Sequence, residues 1–343
     1  MANRPTIKDL AREAGLGAAT IDRALNGRSN VRQETFDKVL DAAERIGYPT
    51  RLLKSRRDSV DLPLMRLGFV LHKASQEFYQ NFARELRAAV DQRTDIRGRA
   101  VIRFAPSQAP DDFAQEIADM ADRCDAIATS AINHPMLSDL VTDISEAGTP
   151  VFALLNDFAQ DVRRNYHGLN NVKVGRIAAW MICTHARQAG KLAVFVGGNR
   201  WHGHQLRETG FQSYIREYAP EFQMLDTVVN LETRQVTYEA TLELLSRQKN
   251  LRGIYVAGGG MEGAIAALRE VRPAGKVALV VNELTAESRK ALIDGYATMV
   301  IATPLQELCR DLVEMMVDAV AGKPNTTPSQ HFLTPQLYVP ESF

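Results

Sequence analysis

At 343 residues the chain is too long for one small domain and suits two or three. Hydrophobic residues at 45% and charged residues at 24% fit an ordinary globular protein, and no apolar run approaches the roughly eighteen residues of a membrane span. The net charge is zero yet uneven: residues 1–60 hold twelve Lys and Arg against eight Asp and Glu, a net of +4 against −4 for the rest, so the N-terminal part is the one suited to a polyanion.

The chain opens MANRPTIKDL, without the apolar core of a signal peptide. Three scattered cysteines, Cys124, Cys183 and Cys309, fit a reducing cytoplasm better than a disulfide framework or a zinc site. Thr6 is placed to cap a first helix, with Asp9 completing a capping-box-like pair. Ile7, Leu10, Ala11 and Ala14 form one apolar stripe. Gly15 stops that helix, and Gly17 opens a second whose Ile21, Ala24 and Leu25 face inward. Asn26 and Gly27 end it. A third helix runs from about 32 to 46 on the stripe Phe36, Val39, Leu40, Ala43 and Ile46. A tight turn between two short helices makes a helix-turn-helix, whose second helix enters the major groove. Ala18, Ala19, Asp22 and Arg23 lie on its outer face. Arg23 can fork onto O6 and N7 of guanine, while the alanines can touch only methyl groups.

The stretch TIKDLAREAGLGAATIDRALNG, followed by VRQETFDKVLDAAERIGY, resembles the DNA-binding domain of the lactose/galactose repressor (LacI/GalR) family. It matches that pattern at Thr6, Asp9, Ala11, Ala14, Gly15, Thr20, Arg23, Leu25, Asn26 and Gly27, then at Thr35, Lys38, Val39, Ala42, Ala43, Gly47 and Tyr48. Two positions depart: Gly17 and Asp22 stand where the family has Ser. The resemblance implies DNA contacts from Thr6, Gly17, Ala18, Ala19, Thr20, Arg23, Asn26, Arg32 and Thr35. Residues 1–48 are then the head, 49–65 a hinge and 66–343 the body.

The hinge, PTRLLKSRRDSVDLPLMR as far as Arg66, is basic and carries Pro49 and Pro63. In the family this segment pushes a Leu between base steps of the minor groove. That spacing lands here on Arg57, or on Arg56 with a slip of one, and neither is apolar. A basic tether along phosphates and a true wedge both remain open.

From Arg66 onward, strand-like runs (RLGFVL, GRAVIRFA, DAIATSA, PVFALLN, then LAVFVGG, LDTVVN, GIYVAGGG, VALVVNE, TMVIATP) alternate with helical stretches at about 78–92, 110–123, 136–147, 172–189 and 204–219. Continuous apolar strands between helices mean parallel sheets covered on both faces. No phosphate-binding G-x-x-x-x-G-K-[ST] occurs, and GGNRWHG and GGGMEG lack dinucleotide spacing, so no cofactor is expected. The marks GLNNVKVGRIAAWMI, RETGF and FLTPQLYVPES extend the resemblance over the body. They imply a type I periplasmic-binding-protein-like α/β body of two doubly wound parallel-sheet lobes behind the all-α head. The expected lobes are about 66–158 with 304–322, and 159–303 with 323–343.

A ligand would lie between the lobes at the carboxyl ends of strands. The resemblance places Arg207 in that pocket, where a planar guanidinium suits sugar hydroxyls or a carboxylate. Phe78 and Tyr79 could stack on a sugar ring or anchor the core. Asn156, Asp157, His134 and Trp201 sit in strand-end loops, and Asn282 and Glu283 replace part of the family's usual pattern. Gly258 and Gly259 stand where many members have Asn-Asp. His202 and His204 lack a third ligand, so a polar loop rather than a metal is expected there.

The sequence therefore reads as a cytoplasmic, non-enzymatic repressor, a homodimer or a tetramer, on a near-palindromic DNA operator. Its effector would be a sugar, polyol or sugar derivative, with no metal, cofactor or membrane involved. The rivals are a transporter's solute-binding protein and a sugar-metabolising enzyme on the same two-lobe plan.

Overall fold

A computed structural model describes residues 5–26, 31, 33–49, 62–324 and 329–343. Two units are distinct, one holding the N-terminal helices and one nearly all of the chain from Met65. In the first, α1 (Ile7–Ala14), α2 (Ala18–Asn26) and α3 (Gln33–Ile46) follow the three apolar stripes. Thr6 Oγ1 accepts the Asp9 amide while Asp9 accepts the Thr6 amide, a reciprocal cap. Gly15 closes α1 in the left-handed conformation at φ +64°. Leu10, Ile21, Ala24, Val39, Leu40, Ala42 and Ala43 are buried together. Ile7 departs from its stripe and is 40% exposed. An Arg45–Glu13 ion pair ties α3 to α1 at the surface.

The second unit contains two sheets. The first has the order β12-β5-β4-β3-β1-β2 and comprises β1 (Leu64–His72), β2 (Arg97–Ala105), β3 (Ala126–Thr129), β4 (Val151–Leu154), β5 (Asn165–Leu169) and β12 (Gln330–Leu333). The second runs β13-β11-β10-β9-β6-β7, built from β6 (Lys191–Val196), β7 (Gln223–Met224), β9 (Leu251–Val256), β10 (Ala278–Asn282), β11 (Met299–Ala302) and β13 (Gln336–Tyr338). A two-residue β8 (Val228–Val229) also pairs with β6, so the expected strand LDTVVN is reduced to this fragment. Helices α4 (Glu77–Asp91), α5 (Pro110–Ala121), α6 (Pro135–Glu146) and α12 (Leu305–Val320) go with the first sheet. Helices α7 (Asn171–His185), α8 (His202–Tyr218), α9 (Arg234–Arg247), α10 (Met261–Val271) and α11 (Ala286–Ile293) go with the second. Parallel pairing prevails in both, with β13 antiparallel to β11. This is the doubly wound, two-lobe plan.

The sheets divide the chain differently from the expected lobe bounds. Both β5 and β12 belong to the first sheet, paired in register from Gln330↔Tyr166 to Leu333↔Leu169. The sequence NYHGL does not look like a strand because its buried side chains include the polar Asn165 and His167. The chain therefore passes from the first sheet to the second after Leu169, returns after Ala302, and crosses again between Leu333 and Gln336.

Candidate functional site

The head presents a polar face on α2. Ala18, Ala19 and Arg23 are exposed, and Asp22 and Thr20 half-buried. Positions 18, 19, 22 and 23 share one side of a helix. Arg23 Nε donates to the Ala19 carbonyl at 3.1 Å, which lays the guanidinium back along the helix. Gly17 gives its carbonyl to the Thr20 and Ile21 amides and so starts α2 without a hydroxyl. Thr6 is exposed and Thr35 half-buried in the first turn of α3. Arg32, Arg56 and Arg57 lie outside the described residues, as does the side chain of Asn26.

In the body, a cavity of about 370 Å³ opens where strands of both sheets end. Phe78, Tyr79, Asn156, Trp201, Arg207, Asn282 and Glu283 all line it. Helix packing fixes Arg207. Gly175 on α7 faces the Arg207 carbonyl and Gly210 on α8 faces the Val172 carbonyl, each so near that a Cβ would overlap backbone. The two helices therefore meet without side chains between them, which brings Arg207 Nε within 2.7 Å of Asn171 Oδ1. Its Nη1 donates to the Ala257 carbonyl at 2.7 Å, and Nη2 has no protein partner among the described residues. On the opposite wall, Phe78 meets Tyr79 edge-on at 5.1 Å between ring centres, and the Tyr79 hydroxyl bonds His72 Nε2.

Two of the expected residues stand elsewhere. His134 caps α6, its Nδ1 accepting the Met136 amide, because Pro135 fills the first helical position beside it. Asp157 is buried in a bidentate pair with Arg163 at 2.5 and 2.7 Å and also accepts from Gln330, so it anchors β12 rather than the cavity wall.

The structure adds a cluster that sequence reasoning missed. Glu232 Oε2 takes the Lys73 ammonium at 2.5 Å and the Gln108 amide at 3.3 Å. Its Oε1 accepts the Gly259 amide at 3.0 Å. Trp201 Nε1 donates to Gln108, and its ring stacks on His72 at 4.8 Å. Lys73, His72 and Gln108 come from the first lobe and Glu232 and Trp201 from the second, so these bonds join the two walls. The Gly203 amide to Asn156 Oδ1, at 2.9 Å, is a further link. Gly258 and Gly259 make room: a Cβ at either would run into His204 or Glu232. The acid missing from that turn is thus supplied by Glu232, from a different loop.

Burial would raise the Glu232 pKa, but the Lys73 charge and the neighbouring imidazoles outweigh it and hold the group down at about 2. Burial pushes His72 down to about 3 and His204 to about 4, with Glu232 opposing in both. Both rings are neutral at pH 7, so the 3.8 Å approach of His204 to Glu232 is no charge pair. Burial raises the Glu283 pKa, while the Thr303 amide and hydroxyl, both donating to it, counter that effect. Lys73, Leu155, Glu232 and Glu283 hold left-handed backbone at φ +53° to +69°. Such conformations in residues with a Cβ are costly and gather at binding sites.

Residues 6–50 match the lacI family of bacterial regulatory proteins, and residues 67–324 match the periplasmic binding protein domain. The chain belongs to the lacI family of bacterial regulatory proteins. This lacI-family chain is 24% identical over 271 residues to the HTH-type transcriptional regulator GalS of Salmonella typhimurium, covering 77% of this chain and 75% of that protein. It is 37% identical over 79 residues to catabolite control protein A of Priestia megaterium, a stretch that spans 23% of each. A glucose-galactose binding protein from Geobacillus stearothermophilus, GanP, shares the fold at TM-score 0.73 and 17% identity, over 81% of this chain and 98% of that one. A solute-binding protein from Agrobacterium vitis bound with α-D-tagatopyranose does so at TM-score 0.74 and 19% identity, over 81% and 95%. The chain is a DNA-binding regulator built from a lacI-type head and a periplasmic-binding-protein-like body. Among the described residues no helix is long and apolar enough to cross a membrane.

Proposed function

We propose that this regulator acts as a homodimeric repressor on a near-palindromic operator and is switched by a sugar, polyol or sugar derivative held in the cavity between its lobes. The observation that carries this reading is the cavity's chemistry. Arg207 offers an uncommitted Nη2, Glu232 and Glu283 keep lone pairs beside it, and Phe78, Tyr79 and Trp201 give ring faces. Donors, acceptors and aromatic faces together suit a ring of hydroxyl-bearing carbons. The volume falls within the about 300–1,000 Å³ usual for small-molecule sites. Structures of the same fold hold tagatopyranose and allose, which supports the same ligand class here. Dimerisation follows from the small head: two copies read two half-sites. Base reading falls to Arg23, with Thr6, Gly17, Ala18, Ala19, Thr20, Asn26, Arg32 and Thr35 around it and Arg56 and Arg57 in the hinge.

The test is a thermal-shift screen of sugars, polyols and their acids, followed by Arg207→Ala. A ligand at 100 times its Kd should add about 2.7 kcal/mol to the body's stability. Arg207→Ala should bind operator as the parent does but lose effector affinity, at roughly 1–3 kcal/mol for each ligand group left unpaired. Unchanged effector affinity in calorimetry would remove Arg207 from the site.

A further inference from the structure

We propose that His167, His331 and Asp311 form a binding site for one borderline divalent transition-metal ion, of the Zn²⁺ and Co²⁺ class, at the edge of the first sheet. His167 on β5 and His331 on β12 are register partners in a parallel ladder, so both side chains stand on one face. Their ring centres are 4.7 Å apart. Asp311, on α12, brings Oδ2 to 3.9 Å from His331 Nε2, while its Oδ1 is taken by Arg310. One ligating atom from each of the three lies within 4.8 Å of the others.

His167 itself lacks what a buried imidazole ordinarily has. It is fully buried, and neither ring nitrogen makes a hydrogen bond of normal geometry among the described residues, although the Leu308 and His331 backbones lie near it. A buried polar ring left so is costly, and a bound ion would employ its lone pair. His331 and Asp311 are 36% and 23% exposed, which leaves an approach for the ion and room for water in the remaining position. Two imidazoles and one carboxylate favour zinc-like ions over Mg²⁺ or Ca²⁺, and three protein ligands with one water is a usual open zinc plan. Ligand atoms about a tetrahedral ion lie ~3.3 Å apart, so the three, now within 4.8 Å of one another, must draw together to hold it. None of the three lines the effector cavity. A bound ion would fasten β12 and α12 to β5.

The test uses the untagged full chain, stripped with a chelator and titrated with Co²⁺ while visible absorption is recorded. Expected are one ion per chain, a tetrahedral-type spectrum, and displacement by Zn²⁺ but not Mg²⁺. His331→Ala and Asp311→Asn should each weaken uptake by more than roughly tenfold, the least that loss of even an outer partner costs at such sites. Both should keep the parent's circular dichroism, while His202→Ala, at the unrelated His202–His204 pair, should bind Co²⁺ as the parent does. No uptake by the parent, or equal uptake by His331→Ala, would overturn the site; the second result would mean an adventitious ion only.

Discussion

The reading face of the head and the wall of the cavity treat their polar side chains in opposite ways. On α2, Ala18, Ala19 and Arg23 face solvent, and the Nε of Arg23 bonds only back to its own helix. In the cavity, Asn156, Glu232, Asn282 and Glu283 are each held by protein partners, and Arg207 has two of its nitrogens engaged. A surface that meets a long charged duplex draws on many contacts and long-range attraction, so its side chains can adapt on arrival. A pocket for a small molecule has few contacts to use and gains by fixing them beforehand.

Acid should part the two regions most. The folded-state pKa values of His72 and His204, about 3 and 4, lie below the 6.5 of an unperturbed histidine. The unfolded chain therefore binds more protons between those values. Their contribution is complete above pH 6.5 and is lost as pH falls through about 4 and then 3. Each histidine adds a slope of up to about 1.4 kcal/mol per pH unit. Glu232, lowered from 4.5 to about 2, extends the loss below pH 4.5. Residues 1–61 contain no histidine, so the head lacks this slope. Urea midpoints from pH 7 to 4 should fall for the body, and less steeply in a His72→Gln, His204→Gln double variant. A flat profile in the parent would mean these rings are not buried neutral.

Next in size is the ion pair that joins the cavity walls. Lys73→Met leaves Glu232 buried without its cation and should cost about 3–5 kcal/mol in equilibrium unfolding. Adding Glu232→Gln to it should recover much of the loss. Full loss in the double variant would show that packing, not charge, sets the effect.

The head should respond in the reverse sense. Arg23→Ala should change folding stability by no more than about 0.5 kcal/mol yet cost about 1–3 kcal/mol at one guanine per half-site. Binding to an operator series with that base varied measures it; unchanged discrimination would place the reading elsewhere. The smallest effect is expected of Gly17→Ser. The space around Gly17 is open, and a hydroxyl there can cap α2, for a gain of a few tenths of a kcal/mol in thermal unfolding. A loss instead would mean that α2 starts differently.

The same contrast governs what the sequence revealed. The head is encoded by neighbours: caps, stripes and stops follow one another within a few turns, so Thr6, Gly15 and Arg23 could be placed from local spacing. Arg207 was placed by the family resemblance carried in RETGF, not by local spacing. Lys73, Gln108 and Glu232 were not legible, since each stands in a separate strand-end loop and a lone charge in a loop reads as solvated. The glycine pair at 258–259 could not announce its neighbour, because nothing local says that Glu232 packs there. Asp157 misled for the converse reason: a polar residue at a strand end looks like a ligand group until Arg163, six residues on, is seen to claim it. Strands β5 and β12 were missed as part of the first sheet because their pairing is set across a large sequence separation and Asn165 and His167 break the apolar run.

The three passages of the chain between sheets have a practical corollary for anyone dissecting this protein. Neither lobe is a continuous stretch of sequence, so a single protease cut in a crossing leaves the halves tethered by the other two. Nor can either lobe be produced alone by truncation, since a fragment ending before residue 305 would deprive the first sheet of both α12 and its edge strand β12. Permuting the chain so that one lobe's segments become contiguous, with a short new linker, is the route to an isolated half.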